Sequence, residues 1–263
     1  MTAQGPEKQG PEKIVFVGGA PRSGTTVTHA LLCTSPRVSP YNQEISFFRG
    51  IPQSYRLGQL SWKEHTSTFF ADPEDFRRTM REAADVPLRR IWQALGQTPI
   101  LCVKDPLLTP SFHDLRALYP AEASFVVVIR HPYEVVRSRQ EVHERGGAKQ
   151  PFDQGQAAMV AREYLSTYRT VLSQSFGGRL YMFRYEDLQT EQIQLGLAQF
   201  LGVDDLDPGQ MWGDAPEADS DPWGSPKYNK PIDLSPRLTP LAPELAQTVK
   251  TICAPMMERF GYD

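Results

Sequence analysis

Short apolar runs, each bounded by glycine, proline or charge, alternate along the chain with longer segments whose apolar positions recur every three or four residues. Ile14–Gly18, Ile100–Val103, Ser124–Ile129 and Leu180–Phe183 are such runs and predict strands buried on both faces. Between them the spacing predicts helices over Thr25–Cys33, Asp72 to about Leu95, Thr109 to about Leu118, Pro132–Val142, Gly155–Ser175 and about Glu191–Leu201. Asp72-Pro73 and Thr109-Pro110 each read as a capping residue followed by a first-turn proline. A last helix is expected over about Pro243–Phe260. Strands alternating with helices imply a single α/β domain, a parallel sheet with helices on both faces.

Two segments break the pattern. Residues 1–13 repeat Gly-Pro-Glu-Lys without an apolar run. They read as a disordered tail, neither signal peptide nor membrane anchor, ahead of a domain spanning 14–263. Residues 204–240 are rich in Pro, Gly, Asp and Trp and predict a long irregular segment.

Composition narrows the choice of partner. The net charge of −3 over 263 residues gives no excess of positive charge for nucleic acid or an anionic membrane. Any anion site must therefore be built locally. Cys33, Cys102 and Cys253 are too few and too scattered along the chain for a disulfide framework or a zinc site, and they read as buried thiols. His65, His113, His131 and His143 show no ligand spacing. With no apolar stretch of ~18 residues to span a bilayer, a cytoplasmic location is expected.

One local anion site is visible. Gly19-Ala20-Pro21-Arg22-Ser23-Gly24-Thr25-Thr26 follows the first strand and opens a helix, in the frame of a P-loop with Thr25 where the lysine belongs. Glycines let the backbone wrap an anion, and the helix N-terminus adds positive potential. Arg22 restores the missing cation from inside the loop. The fold is then a P-loop-type sheet; the plain alternative is a tight strand-to-helix turn. The strand that would carry a metal-binding aspartate in a nucleoside triphosphate enzyme ends instead in Arg130. A cation there argues for a second anion and against Mg²⁺, so no metal is expected. Arg130 at the strand end and Ser138 on the following helix offer that anion a guanidinium fork and a hydroxyl.

Pro21–Thr26 and Val126–Ser138 together resemble the two cofactor-binding motifs of the sulfotransferase superfamily, which uses 3′-phosphoadenosine 5′-phosphosulfate (PAPS). Leu101–Pro106, Arg184–Leu188, Lys230–Leu234 and the closing Ala254–Asp263 resemble tyrosylprotein sulfotransferases in the same order. The resemblance implies sulfuryl transfer from PAPS, with PAP as product. Pro21, Arg22, Ser23, Gly24, Thr25 and Thr26 would hold the 5′-phosphosulfate, and Arg130 and Ser138 the 3′-phosphate. It implies Tyr185 near the adenine, Lys230 at the 3′-phosphate, and the 204–240 segment, including Lys227, over the cofactor. Catalytic roles fall to Arg22, Lys104, Ser225 and Glu44. Lys104 would steady the leaving oxygen and Glu44 would take the acceptor's proton, with His29 as the rival base.

The acceptor is a hydroxyl, on a small phenol or alcohol or on a peptide. The stretch after Glu44 holds one arginine, Arg49, and two phenylalanines, which suits a small molecule better than an acidic peptide. Phe47, Phe48, Trp62, Phe69 and Phe70 are candidates for an apolar acceptor pocket. No nucleic acid and no membrane is expected as partner, and a homodimer stays open. Two rival functions remain: a P-loop kinase acting on a small molecule, and a non-catalytic nucleotide-binding module.

Overall fold

The computed structural model describes residues 10–147, 150–204, 206–211 and 240–262. Strands β1 (Lys13–Gly18), β2 (Ile100–Lys104), β3 (Ala123–Ile129) and β4 (Leu180–Arg184) pair in parallel in the order β2-β1-β3-β4. The helices are α1 (Thr25–Leu32), α2 (Gly50–Leu60), α3 (Pro73–Ala94), α4 (Phe112–Leu118), α5 (Pro132–Arg145), α6 (Gln154–Leu172), α7 (Glu191–Leu201) and α8 (Pro243–Phe260).

The two-residue period of the strands divides the core in two. Ile14 and Phe16 of β1, with Phe125, Val127 and Ile129 of β3, face α3, α4, α6 and α8. Val15 and Val17, with Val126 and Val128, face α1 and α7. Runs such as Phe125–Ile129 are apolar throughout because both faces are covered. Phe16, Phe112 and Phe125 pack ring on ring, with centroids 4.7–6.4 Å apart. Each such buried ring contributes about 1.5–3 kcal/mol by leaving water.

The strand order decides where a site can form. β1 connects outward to β2 on one side, and the chain then returns to place β3 on the other. Ligand crevices open at the carboxyl ends of strands at such a reversal. Register brings the relevant ends to one edge: Val17 lies beside Lys104, Gly18 beside Val127, and Ile129 beside Arg184.

Several expectations need correction. β1 starts at Lys13, whose ammonium donates to the Leu201 carbonyl at 2.6 Å, so the expected tail loses its last residue to the sheet. Thr109-Pro110 is not a helix start. Asp105 caps a 3₁₀ turn over Pro106–Ser111, its side chain accepting from the Leu107 N–H, and α4 begins only at Phe112. Residues 206–211 are not irregular throughout. They form a short 3₁₀ turn at Pro208–Gln210, and buried Met211 packs against the α1 side of the core. Helix α2 was not foreseen. Among the described residues no helix is long and apolar enough to cross a membrane.

Candidate active site

The β1–α1 loop is shaped by backbone that tolerates few residues. Gly19 has φ +143°, and a β-carbon there would sit 2.3 Å from the Val128 carbonyl oxygen, so no side chain fits. The Gly19 N–H donates to Thr109 Oγ1 at 2.9 Å and the Ala20 N–H to Tyr168 Oη at 3.0 Å. These hydroxyls donate in turn to the carbonyls of Pro106 and Val128. Arg22 takes a left-handed φ of 74°, which is uncommon for a residue with a side chain and persists only where its surroundings enforce it. Helix α1 then opens with neither a side-chain cap nor an acidic residue in its first turn. Its first N–H groups and the positive end of its dipole favour an anion.

Arg22 joins this loop to the second one. Its Nε donates to Ser138 Oγ at 3.1 Å, across from α5. Arg130, at the end of β3, lies with its guanidinium 4.8 Å above the Tyr185 ring. That ring packs on Gly24, where an added β-carbon would come within 2.2 Å of it. Two chains of contact, Arg22–Ser138 and Gly24–Tyr185–Arg130, thus bring both expected anion loops to one corner.

The corner is braced from behind. Glu186 accepts from the His131 N–H and from the Tyr262 hydroxyl, both at 2.9 Å. The Tyr262 ring lies 5.0 Å from His131 and beneath the Arg184 guanidinium. Burial, and then the Glu186 charge, hold the Tyr262 hydroxyl above its ordinary range, so it stays a donor.

A third group completes the site. Lys104 is only 4% exposed, and its ammonium donates to Glu44 Oε1 at 2.8 Å and to Thr26 Oγ1 at 2.9 Å. The Glu44 loop is zipped along β2: the Ser39 N–H donates to the Ile100 carbonyl, and Ser39 Oγ and Asn42 Nδ2 donate to the Cys102 carbonyl. His29 is wholly buried, its Nε2 3.2 Å from that same carbonyl, and so faces the core. Geometry favours Glu44 over His29 as the group beside Lys104.

Other expected residues lie elsewhere. Ser23 is fully buried, and its N–H donates to the Ala20 carbonyl. Thr25 is also buried, while Pro21 is partly exposed beside Arg22. Ser225, Lys227 and Lys230 fall outside the described residues. The aromatic pocket does not form as expected. Phe48 is buried and stacks on Phe16, and Trp62 and Phe70 pack on Phe76 at 6.3 and 4.9 Å. They do so because α2 and its flanks must cover α3 and the sheet face around Phe16. Phe47 and Phe69 remain 67% and 79% exposed. Arg49 is held in a bidentate pair with Asp105, at 2.5 and 2.9 Å.

Sequence reading missed Thr109, Tyr168, Glu186 and Tyr262 as supports of the site. It also took the cysteines as scattered. The packing of α1 on β2 instead brings Cys33 and Cys102 to His29, within 4.8 Å of one another. Burial by itself would raise the Cys33 thiol, but the neighbouring Cys102 and His29 side chains hold it below its ordinary range.

Comparison with known proteins fits this geometry. Residues 14–207 match the profile described as the sulfotransferase family. Protein-tyrosine sulfotransferase 1 of Homo sapiens is 32% identical over 121 residues, covering 44% of this chain and 31% of that protein. A Caenorhabditis briggsae protein named provisionally as a protein-tyrosine sulfotransferase is 28% identical over 131 residues, 49% of this chain and 44% of its own. The chain thus spans less than half the length of these curated relatives. The sulfotransferase domain from the curacin biosynthetic pathway shares the fold, with a TM-score of 0.57 at 17% identity, covering 96% of this chain and 98% of that one.

Proposed function

The chain belongs to the sulfotransferase family, and from that membership we propose that it transfers a sulfuryl group from PAPS to an acceptor hydroxyl. The observation that carries the reading is Lys104, which touches Glu44 on one side and Thr26 of the anion loop on the other. One buried cation spans the place for a proton acceptor and the place for a leaving oxygen.

The residues present fit the donor. The uncapped α1 N-terminus, with Arg22 and Thr26, suits a 5′-phosphosulfate, and Arg130, which a 3′-phosphate would share with Glu134 at 3.1 Å, suits that phosphate together with Ser138, the acceptor from Arg22. PAPS supplies an activated sulfuryl group and, in PAP, a stable leaving group. The protein's part is positioning and charge. Glu44 accepts the proton of the attacking hydroxyl. Lys104 and Arg22 hold negative charge as it shifts toward the leaving oxygen. Tyr185, lodged between Gly24 and Arg130, keeps the two loops in register and is the candidate neighbour of the adenine.

The acceptor in this reading is a small phenol or alcohol. Arg49 is paired with Asp105 and Arg56 with Asp114, so the cations just after Glu44 are already engaged. An acidic peptide would find little there to recognise, and the chain's net charge of −3 would oppose it. The names of the curated relatives favour the second reading, a peptide tyrosine.

Incubation with PAPS and a panel of phenols, alcohols and acidic tyrosine peptides, read by mass spectrometry, separates these readings. Sulfated small molecules are expected. A peptide used more efficiently than every small acceptor would overturn the acceptor assignment. Product from Mg²⁺ and ATP, with none from PAPS, would overturn the donor and restore the kinase. Tight PAP binding with no turnover on any acceptor would leave a binding module.

A further inference from the structure

Behind Glu44 and Lys104 lies a second set of donors that sulfuryl transfer does not use. His29 and Cys33 stand four residues apart at the end of α1, a spacing that puts two side chains on one face. Cys102 meets them from β2. A ring nitrogen of His29 and the sulfurs of Cys33 and Cys102 lie within 4.8 Å of one another. His29 and Cys102 are fully buried, and Cys33 is half-buried.

The imidazole is arranged as an electron-pair donor. Its Nε2 faces the Cys102 carbonyl oxygen at 3.2 Å, nearer than the Asn42 amide nitrogen at 3.5 Å, which itself donates to that carbonyl. A carbonyl only accepts, so the proton belongs on Nε2 and the lone pair on Nδ1. Nδ1 is buried and has no hydrogen-bond partner among the described residues. An apolar core gains nothing from such a nitrogen, because its desolvation goes uncompensated. An imidazole whose N–H is fixed on a backbone carbonyl while the other nitrogen stays free is the arrangement seen in metal-ligating histidines.

We propose that His29, Cys33 and Cys102 bind one thiophilic closed-shell cation, Zn²⁺ or Cu⁺. Two thiolates and an imidazole select these ions over Mg²⁺ or Ca²⁺. Metal–sulfur and metal–nitrogen bonds of about 2.3 and 2.0 Å place such donors roughly 3.8 Å apart. The observed spread therefore needs to contract by no more than about 1 Å. Each thiol releases its proton to solvent as its sulfur joins the metal. Cys33, at the half-buried end, gives the ion its route in. Cys102 lies two residues before Lys104, and its carbonyl holds Ser39 and Asn42 of the Glu44 loop. The ion would pin α1 to β2 directly beneath that loop, touching neither donor nor acceptor.

The reduced, tag-free chain is titrated with Zn²⁺, with Cu⁺ in a chelator buffer, and with Mg²⁺, against a chromophoric competitor and with melting temperature in parallel. One equivalent of Zn²⁺ or Cu⁺ is expected, with a raised melting temperature and no response to Mg²⁺; the tighter binder identifies the ion. Co²⁺-loaded protein is expected to show thiolate-to-metal charge-transfer absorption. Cys33→Ser, at the half-buried position, should weaken binding at least ~100-fold, beyond the loss of an outer-shell partner, and diminish that band. Cys102→Ala should do the same, while Cys253→Ala leaves binding unchanged. Wild-type protein that takes up no stoichiometric ion, or a Cys33→Ser variant that binds as tightly as wild type, overturns the proposal.

Discussion

The corner at the strand ends and the helical wall beside it, α2 against α3, are held together by different physics. The corner is joined by single polar atoms meeting across long stretches of chain: Arg22 to Ser138, Lys104 to Thr26, Tyr262 to Glu186. The wall is joined by volume, with Tyr55, Trp62 and Phe70 gathered around Phe76 at centroid distances of 4.9–6.3 Å. A hydrogen bond lost from the corner leaves a buried partner unmet, whereas a wall of rings tolerates exchange among apolar residues of similar size. The difference teaches that the corner is fixed atom by atom while the wall is free to drift in sequence.

The comparison breaks most easily at Lys104. Lys104→Ala, and separately Glu44→Gln, should lower kcat/KM about 10³-fold with PAPS while PAP affinity by calorimetry stays within about tenfold of wild type. A Lys104→Ala enzyme with a tenth of wild-type activity would show that the corner is not specified as described. In the wall, Phe76→Ala should cost about 3–5 kcal/mol in denaturant unfolding, yet protein that remains folded should bind PAP normally. Weakened PAP binding there would merge the two regions. Gly24→Ala sets a methyl against the Tyr185 ring at a φ of 100°, and PAP affinity should fall roughly 30-fold, reflecting backbone strain of 1–3 kcal/mol. The smallest effect is expected at exposed Phe69. Phe69→Ser should change stability by less than about 0.5 kcal/mol, and any change in KM for a phenolic acceptor marks that face as the acceptor's approach.

The same contrast explains how much the sequence revealed. The loop over Pro21–Thr26 is contiguous, so its strand, turn and helix are legible in order. Lys104 and Glu44 were each identifiable, but that Lys104 reaches both Glu44 and Thr26 depends on the register that sets Val17 beside Lys104. Thr109 and Tyr168 were not legible as loop supports, since they lie 90 and 148 residues from the N–H groups they serve. Helix α2 escaped because Gly50, Pro52 and Gly58 read as a loop and only Pro52 and Tyr55 are buried along it. The apolar pattern gave Phe48, Trp62 and Phe70 as a set without saying what they would cover. Their use in the core follows from the placing of α2 on α3, which no local spacing encodes.

Tyr262 carries a consequence for how the molecule is made. Proteins emerge from the ribosome N-terminal end first, and early segments begin to fold before later ones exist. All four described strands are made by Arg184, and the β1–α1 loop is made long before that. The hydroxyl that fixes Glu186, and through it the turn after Arg130, arrives only with residue 262. A nascent chain paused before that residue holds all four described strands and an unlatched corner at their carboxyl ends, so the final shape of that corner should lag behind the acquisition of the sheet during translation.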